Sequence, residues 1–121
     1  MNKSEMTRVG EYTEEFNTIT GQSLPCGPIY KSPGLIKHVK GHHPGTEGNV
    51  ALIPQIIADP DYVGKNPNED DSIELVRTFS GNVMVCVKLD RQEDYLYVAS
   101  VYEISNKKIS NRLYSGRLKK R

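Results

Sequence analysis

A chain of 121 residues is long enough for one domain with a single modest core. Its 16 basic and 15 acidic side chains leave a formal net charge of +1, and 26% charged against 36% hydrophobic residues is the balance of a globular, slightly polar protein. No apolar run approaches the ~18 residues of a membrane span, and the opening MNKSEMTRVGEYTEEF has no apolar signal-peptide core, so a cytoplasmic protein without membrane contact is expected.

Residues 1–28 read as a polar, partly ordered N-terminal segment with a candidate edge strand at Val9–Tyr12, and residues 29–121 as a single domain. Pro25, Gly27, Pro28, Pro33 and Gly34 mark turns around a short strand at Ile29–Tyr30. Cys26 and Cys86 lack CxxC spacing and further partners, which argues against a zinc knuckle; Cys86, in an apolar run, reads as a small core residue. Ser32-Pro33 predicts a helix start, with Leu35, Ile36 and Val39 on its apolar face. At about 100° per residue, His38 and His42 share the opposite face. Gly41 is also a stop signal, so helix and loop readings of His42 and His43 both stay open.

Val50–Ala58 predicts a second helix, Pro54 suiting its first turn, ended by Asp59-Pro60-Asp61 and followed by a polar loop over 64–71. Three strands then alternate with turns. Ser72–Phe79 puts Ile73, Leu75, Arg77 and Phe79 on one side, Val83–Leu89 is apolar on both faces as a central strand should be, and Tyr95–Ile104 groups Leu96, Val98, Ser100, Tyr102 and Ile104. Ser105 caps a last helix carrying Ile109 and Leu113, with Gly116 as its stop. The expected fold is α+β: N-terminal helices packed on a three- to four-stranded antiparallel sheet, then a short basic C-terminal helix.

Charge is unevenly spread. All three histidines fall within LIKHVKGHHP beside Lys37 and Lys40, and no acidic residue stands between Glu15 and Glu47. Imidazole titrates nearest neutral pH and serves as general acid, base or metal ligand, so with lysines beside it the cluster points to chemistry on an anion. Ser105–Arg121 holds seven basic residues and no acidic one, which suits phosphate binding or a solubilising tail equally. His38 and His42 have the spacing of half an HExxH motif, but Val39 stands where its glutamate belongs; no metal or cofactor is expected.

The stretches IYKSPGLIKHVKGHHPG, DPDYVGKNPNE, SIELVRTF, YLYVASVYEIS and NRLYSGRLKK span Ile29 to Lys120. Together they resemble the barnase–EndoU–colicin–RelE (BECR) superfamily of small ribonucleases, and within it the phage-associated branch. The resemblance implies a metal-independent endoribonuclease in which the ribose 2′-OH attacks the adjacent phosphate. It also implies RNA as substrate, a toxin-like role, and a possible immunity or antitoxin partner. That chemistry needs a base, an acid and cations around the phosphorane. His38 and His42 are the candidates for base and acid, Arg77 and Ser100 complete the candidate catalytic set, and Lys37, Lys40, His43, Tyr102, Lys119 and Lys120 are candidate substrate contacts. An arginine on the apolar side of a strand needs an anion, either a substrate phosphate or a carboxylate such as Asp59, Asp61 or Glu74. The alternative function is a non-catalytic nucleic-acid- or protein-binding domain of the same fold.

Overall fold

The runs dense in β-branched and aromatic residues, expected as a meander, build the middle of the sheet, and shorter strands extend it on both sides. The computed structural model describes residues 5–42 and 44–121. In chain order these form β1 (Thr7–Tyr12), α1 (Glu14–Thr20), β2 (Gly27–Lys31), α2 (Leu35–His42), a 3-10 turn (Glu47–Leu52) running into α3 (Ile53–Ala58), β3 (Tyr62–Gly64), β4 (Ser72–Thr78), β5 (Asn82–Asp90), β6 (Tyr95–Ile104), α4 (Asn106–Ser115) and β7 (Leu118–Lys120). No helix among the described residues is long and apolar enough to cross a membrane.

The architecture is α+β, but the sheet is neither three- to four-stranded nor purely antiparallel. It has seven strands in the order β1-β2-β6-β5-β4-β3-β7, and β2 runs parallel to β6, with Ile29 and Tyr30 opposite Leu96 and Tyr97. The extra strands escape a periodicity reading for a physical reason. β3 and β7 have three residues each, too few to show a period of two. Residues 118–120 are therefore not a loose basic tail: Gly116 ends α4 at φ 84°, and Leu118–Lys120 returns to pair with β3. Gly64 permits that approach, because a Cβ there would stand 2.0 Å from the Arg117 carbonyl oxygen.

The polar N-terminal stretch is ordered from within. Buried Asn17 accepts from the Tyr12 hydroxyl at 2.7 Å and from the Leu24 amide at 3.0 Å, and donates to the Leu24 carbonyl at 2.8 Å. This satisfied amide fastens α1 to the loop before β2 and leaves Tyr12 and Phe16 free to enter the core.

One face of the sheet carries the main core, in which Ile29, Ile73, Leu75, Val85, Val87, Leu96 and Val98 meet apolar residues of α1, α2 and α3. Each fully buried Ile or Val there contributes roughly 1.5–3 kcal/mol. The other face holds a smaller cluster, Val76, Met84, Ile104, Ile109 and Leu118, covered by α4. Ser105 caps that helix as expected, its hydroxyl accepting from the Lys108 amide at 3.1 Å.

β6 departs from its expected alternation. Cys86 pairs with Ser100 but Val87 with Val98, so Ala99 is the extra residue of a β-bulge. Leu96 and Val98 lie in the main core, while Tyr102 and Ile104 join the smaller one. Ser100 and Tyr102 therefore do not share a face with Leu96 and Val98: one inserted residue exchanges the faces.

α2 runs unbroken through Gly41 to His42. It buries Leu35 and Val39, whereas Ile36, expected on the same apolar face, is 43% exposed. β2 pairs with β6 only as far as Tyr97, and α2 packs against β6 in turn. His43 lies outside the described residues.

Candidate active site

The β-bulge, α2 and the loop between β3 and β4 enclose a cavity of about 270 Å³. Its wall includes His38 from α2, Glu74 from β4, Cys86 and Lys88 from β5, and Ser100 and Tyr102 from β6. Register explains the convergence: Glu74 faces Cys86, which faces Ser100, so three adjacent strands send side chains to one spot. His38 is exposed and arrives from the helix, and its ring lies 4.4 Å from that of His42 one turn later.

Glu74 is the anchor of the wall. Only 3% exposed, it accepts two hydrogen bonds from Arg117, Nε at 2.8 Å and Nη2 at 2.7 Å, and has Arg112 Nη1 at 3.6 Å. The paired guanidinium is held above its ordinary pKa by that hydrogen bond. Arg112 and Arg117 come from α4 and the turn after it, so the C-terminal helix is tied into the cavity wall through one carboxylate. At the rim Lys88 pairs with Glu69 at 3.3 Å.

Two further groups stay neutral. Burial, with the Glu74 charge nearby, pushes the Cys86 thiol up to about 11. Burial, with Cys86 and the Glu74 carboxylate nearby, pushes the Tyr102 phenol up to about 12, and the thiol and phenol are hydrogen-bonded to each other. At neutral pH the phenol is thus a hydrogen-bond donor and the thiol carries no competing negative charge.

The remaining candidates lie elsewhere. Arg77 does not line this cavity. It faces the main-core side, 3.4 Å from the Asp59 carboxylate, 3.5 Å from the Gln55 and Asp59 carbonyls at the C-terminal end of α3, and 5.5 Å over the Phe79 ring. The anion it meets is a structural carboxylate. Lys37 and Lys40 are exposed on α2, and Lys119 and Lys120 are exposed on β7, at the far edge of the sheet. Sequence reasoning missed Glu74, Lys88, Arg112 and Arg117. The alternation that set Ile73 and Leu75 on one side already put Glu74 on the other, but only the bulge in β6 brings Ser100 to meet it.

Residues 7–111 match the family described as phage-Barnase-EndoU-ColicinE5/D-RelE like nuclease3. The chain belongs to that family. The resemblance holds for the four motifs between Ile29 and Ser105, and the match extends it upstream through β1 and α1 but stops at Asn111, the first residue of the fifth. No curated protein and no solved structure matches the chain. For a member of a phage-associated nuclease family, the ligand class to set against the cavity is nucleic acid.

Proposed function

We propose that this chain is a metal-independent endoribonuclease acting in the cytoplasm, its reacting phosphate held in the His38 cavity. The observation that carries the reading is the meeting of an imidazole, two hydroxyl groups and a lysine on one concave surface. In the proposed reaction a base takes the proton of the ribose 2′-OH, whose oxygen attacks phosphorus. The bond from phosphorus to the 5′-oxygen breaks, and an acid supplies the proton that oxygen needs. The products end in a 2′,3′-cyclic phosphate and a free 5′-OH. His38 takes one proton-transfer role, and His42, in ring contact with it, supplies the other. Lys88, the Ser100 hydroxyl and the neutral Tyr102 phenol stabilise the charge developing on the phosphoryl oxygens. Arg112 and Arg117, fixed by Glu74, stand behind the wall and add positive potential. In this reading Arg77 holds α3 to the sheet, and Lys37, Lys40, His43, Lys119 and Lys120 are at most peripheral phosphate contacts.

A second reading, a non-catalytic nucleic-acid-binding domain, draws on the occupation of the site's cations: Glu69 holds Lys88 and Glu74 holds Arg117. Mixed RNA incubated with the protein in EDTA separates the two. The ribonuclease reading expects cyclic-phosphate ends from the parent and none from His38→Ala. Equal inactivity of both, with salt-sensitive RNA binding retained, establishes the binding module instead.

A further inference from the structure

The face of the sheet that holds Ser100 and Tyr102 is covered by α4 only at one end. Towards the other end it carries three tyrosines. Tyr95 and Tyr97 alternate with the buried Leu96 and Val98, and Tyr30 alternates with the buried Ile29, so all three rings point away from the main core. The ring centroids of Tyr30 and Tyr95 are 6.3 Å apart and those of Tyr95 and Tyr97 are 5.9 Å apart. Tyr97 stands between Tyr30 on β2 and Lys88 on β5, and Lys88 is part of the His38 cavity. The row thus begins where the candidate active site ends. The β5 partners of Ser100 and Tyr97, Cys86 and Lys88, are two residues apart, so at ~3.3 Å per residue Tyr97 lies roughly 7 Å along the sheet from Ser100, the scale of a neighbouring nucleotide.

A second hollow of about 160 Å³ opens against the row, lined by Tyr30, Tyr95, Leu89 and Asp94. Its volume is several times the ~30 Å³ of a water molecule. Among the described residues, those lining it include two tyrosines and an aspartate but no lysine, arginine or histidine. That set suits a flat, neutral group with hydrogen-bond donors and disfavours a phosphate. A heterocyclic base has this character.

We propose that Tyr30, Tyr95 and Tyr97 form a stacking site for an unpaired nucleobase of the strand whose phosphate occupies the His38 cavity, an assignment that rests on the ribonuclease reading above. The Asp94 carboxylate accepts from the base's amino or ring N–H donors, so amino-bearing bases are favoured there. Single-stranded RNA is then the form recognised, because a paired base has no free face to offer.

The test measures binding of short fluorescent oligoribonucleotides to His38→Ala protein, which keeps the tyrosines and prevents turnover. Stacking on one aromatic ring is worth ~1–3 kcal/mol, so Tyr95→Leu is expected to weaken binding roughly 5- to 150-fold, while Tyr95→Phe keeps it within about twofold. A series with one abasic nucleotide stepped along the strand probes the same site on unaltered tyrosines. One abasic position should lose a similar factor, and the loss should vanish when that oligonucleotide meets Tyr95→Leu protein. If no abasic position costs more than about twofold, or if Tyr95→Leu binds like its parent while Lys88→Ala does not, the stacking site is refuted and the ribonuclease reading stands. If the protein binds no oligoribonucleotide at all and EDTA-treated RNA stays intact with the parent, both fall together.

Discussion

The carboxylate of Glu74 couples two arginines, so the cost of losing it and the cost of losing a partner should differ. Its side chain is 4% exposed, while those of Arg112 and Arg117 are 16% and 23% exposed. Arg117→Met strands the carboxylate with Arg112 alone, at 3.6 Å and without the bidentate hydrogen bond. Breaking a buried pair from one side costs ~3–5 kcal/mol, and the remaining arginine should hold the loss near the lower end, about 3 kcal/mol. At roughly 4 °C per kcal/mol for a domain of this size, the midpoint of thermal unfolding falls by about 12 °C. Glu74→Leu strands the two arginines instead, but their partial exposure lets the guanidinium heads reach water, so its cost is about 1–2 kcal/mol. The double variant removes the charge conflict and fills the site with apolar atoms, and should be more stable than Arg117→Met alone. Urea unfolding of the four proteins gives the coupling, expected at about 2 kcal/mol. Single-variant losses that add to the double-variant loss within about 0.5 kcal/mol would refute this account of the cavity wall.

Four other outcomes follow from the same geometry. Gly64→Ala forces a Cβ to within 2.0 Å of the Arg117 carbonyl, so β7 must shift; urea unfolding should show a loss of about 2–4 kcal/mol. The Cys86 thiol is pushed up to about 11 in the fold, above the ordinary thiol value of ~8.5. Its contribution is whole at neutral pH and is lost as pH climbs from the unfolded value to the folded one, because the unfolded chain gives up the proton first. Stability should therefore drop by on the order of 2–3 kcal/mol across that window, and Cys86→Ala should flatten the drop; an equal drop in both would exclude Cys86 as its source. In the RNA assay His38→Ala should lose 10²-fold or more, the usual weight of an acid–base group. Arg77→Ala should stay within about twofold, and a large loss there would mean that the His38 cavity is not the reacting centre. In a bacterial host slowed by the parent protein, growth should recover with His38→Ala but not with Arg77→Ala.

How far the fold can be read from the sequence depends on the range of the interactions that make each element. β4, β5, β6, α4 with its Ser105 cap, and the Pro54 start of α3 each rest on residues close together in the chain, and each is legible. α1 is not. It is held by Asn17 reaching Tyr12 and Leu24, and an asparagine in a polar stretch looks the same whether it is solvated or buried with every bond made. β3 exists because it pairs with β4 on one side and β7 on the other, and β7 because it pairs with β3, across separations that a local pattern does not register.

The candidate site divides along the same line. His38 was visible because a histidine facing away from a helix's apolar stripe is a local observation. Arg77 stands out by the same logic, as an arginine on an apolar strand face that needs an anion, but no local pattern distinguishes Asp59, Asp61, Glu74 and a phosphate as that anion. Asp59 is chosen because α3 sets it, along with the carbonyls of the helix end, where the guanidinium arrives. With Arg77 engaged there, Glu74 is left to gather Arg112 and Arg117 behind the cavity on the other face. The Arg77–Asp59 pair and the Arg112–Arg117–Glu74 cluster are thus consequences of one alternation along β4. Residue 77 points to α3 and residue 74 to α4, and the bulge at Ala99 decides that Ser100 and Tyr102 meet Glu74 rather than Arg77. Deleting Ala99 would leave Val98 opposite Val87 and Ser100 opposite Cys86 with no residue between them, so regular alternation still sends Val98 to the main core and Ser100 and Tyr102 to the cavity, and the site should survive in a straighter strand.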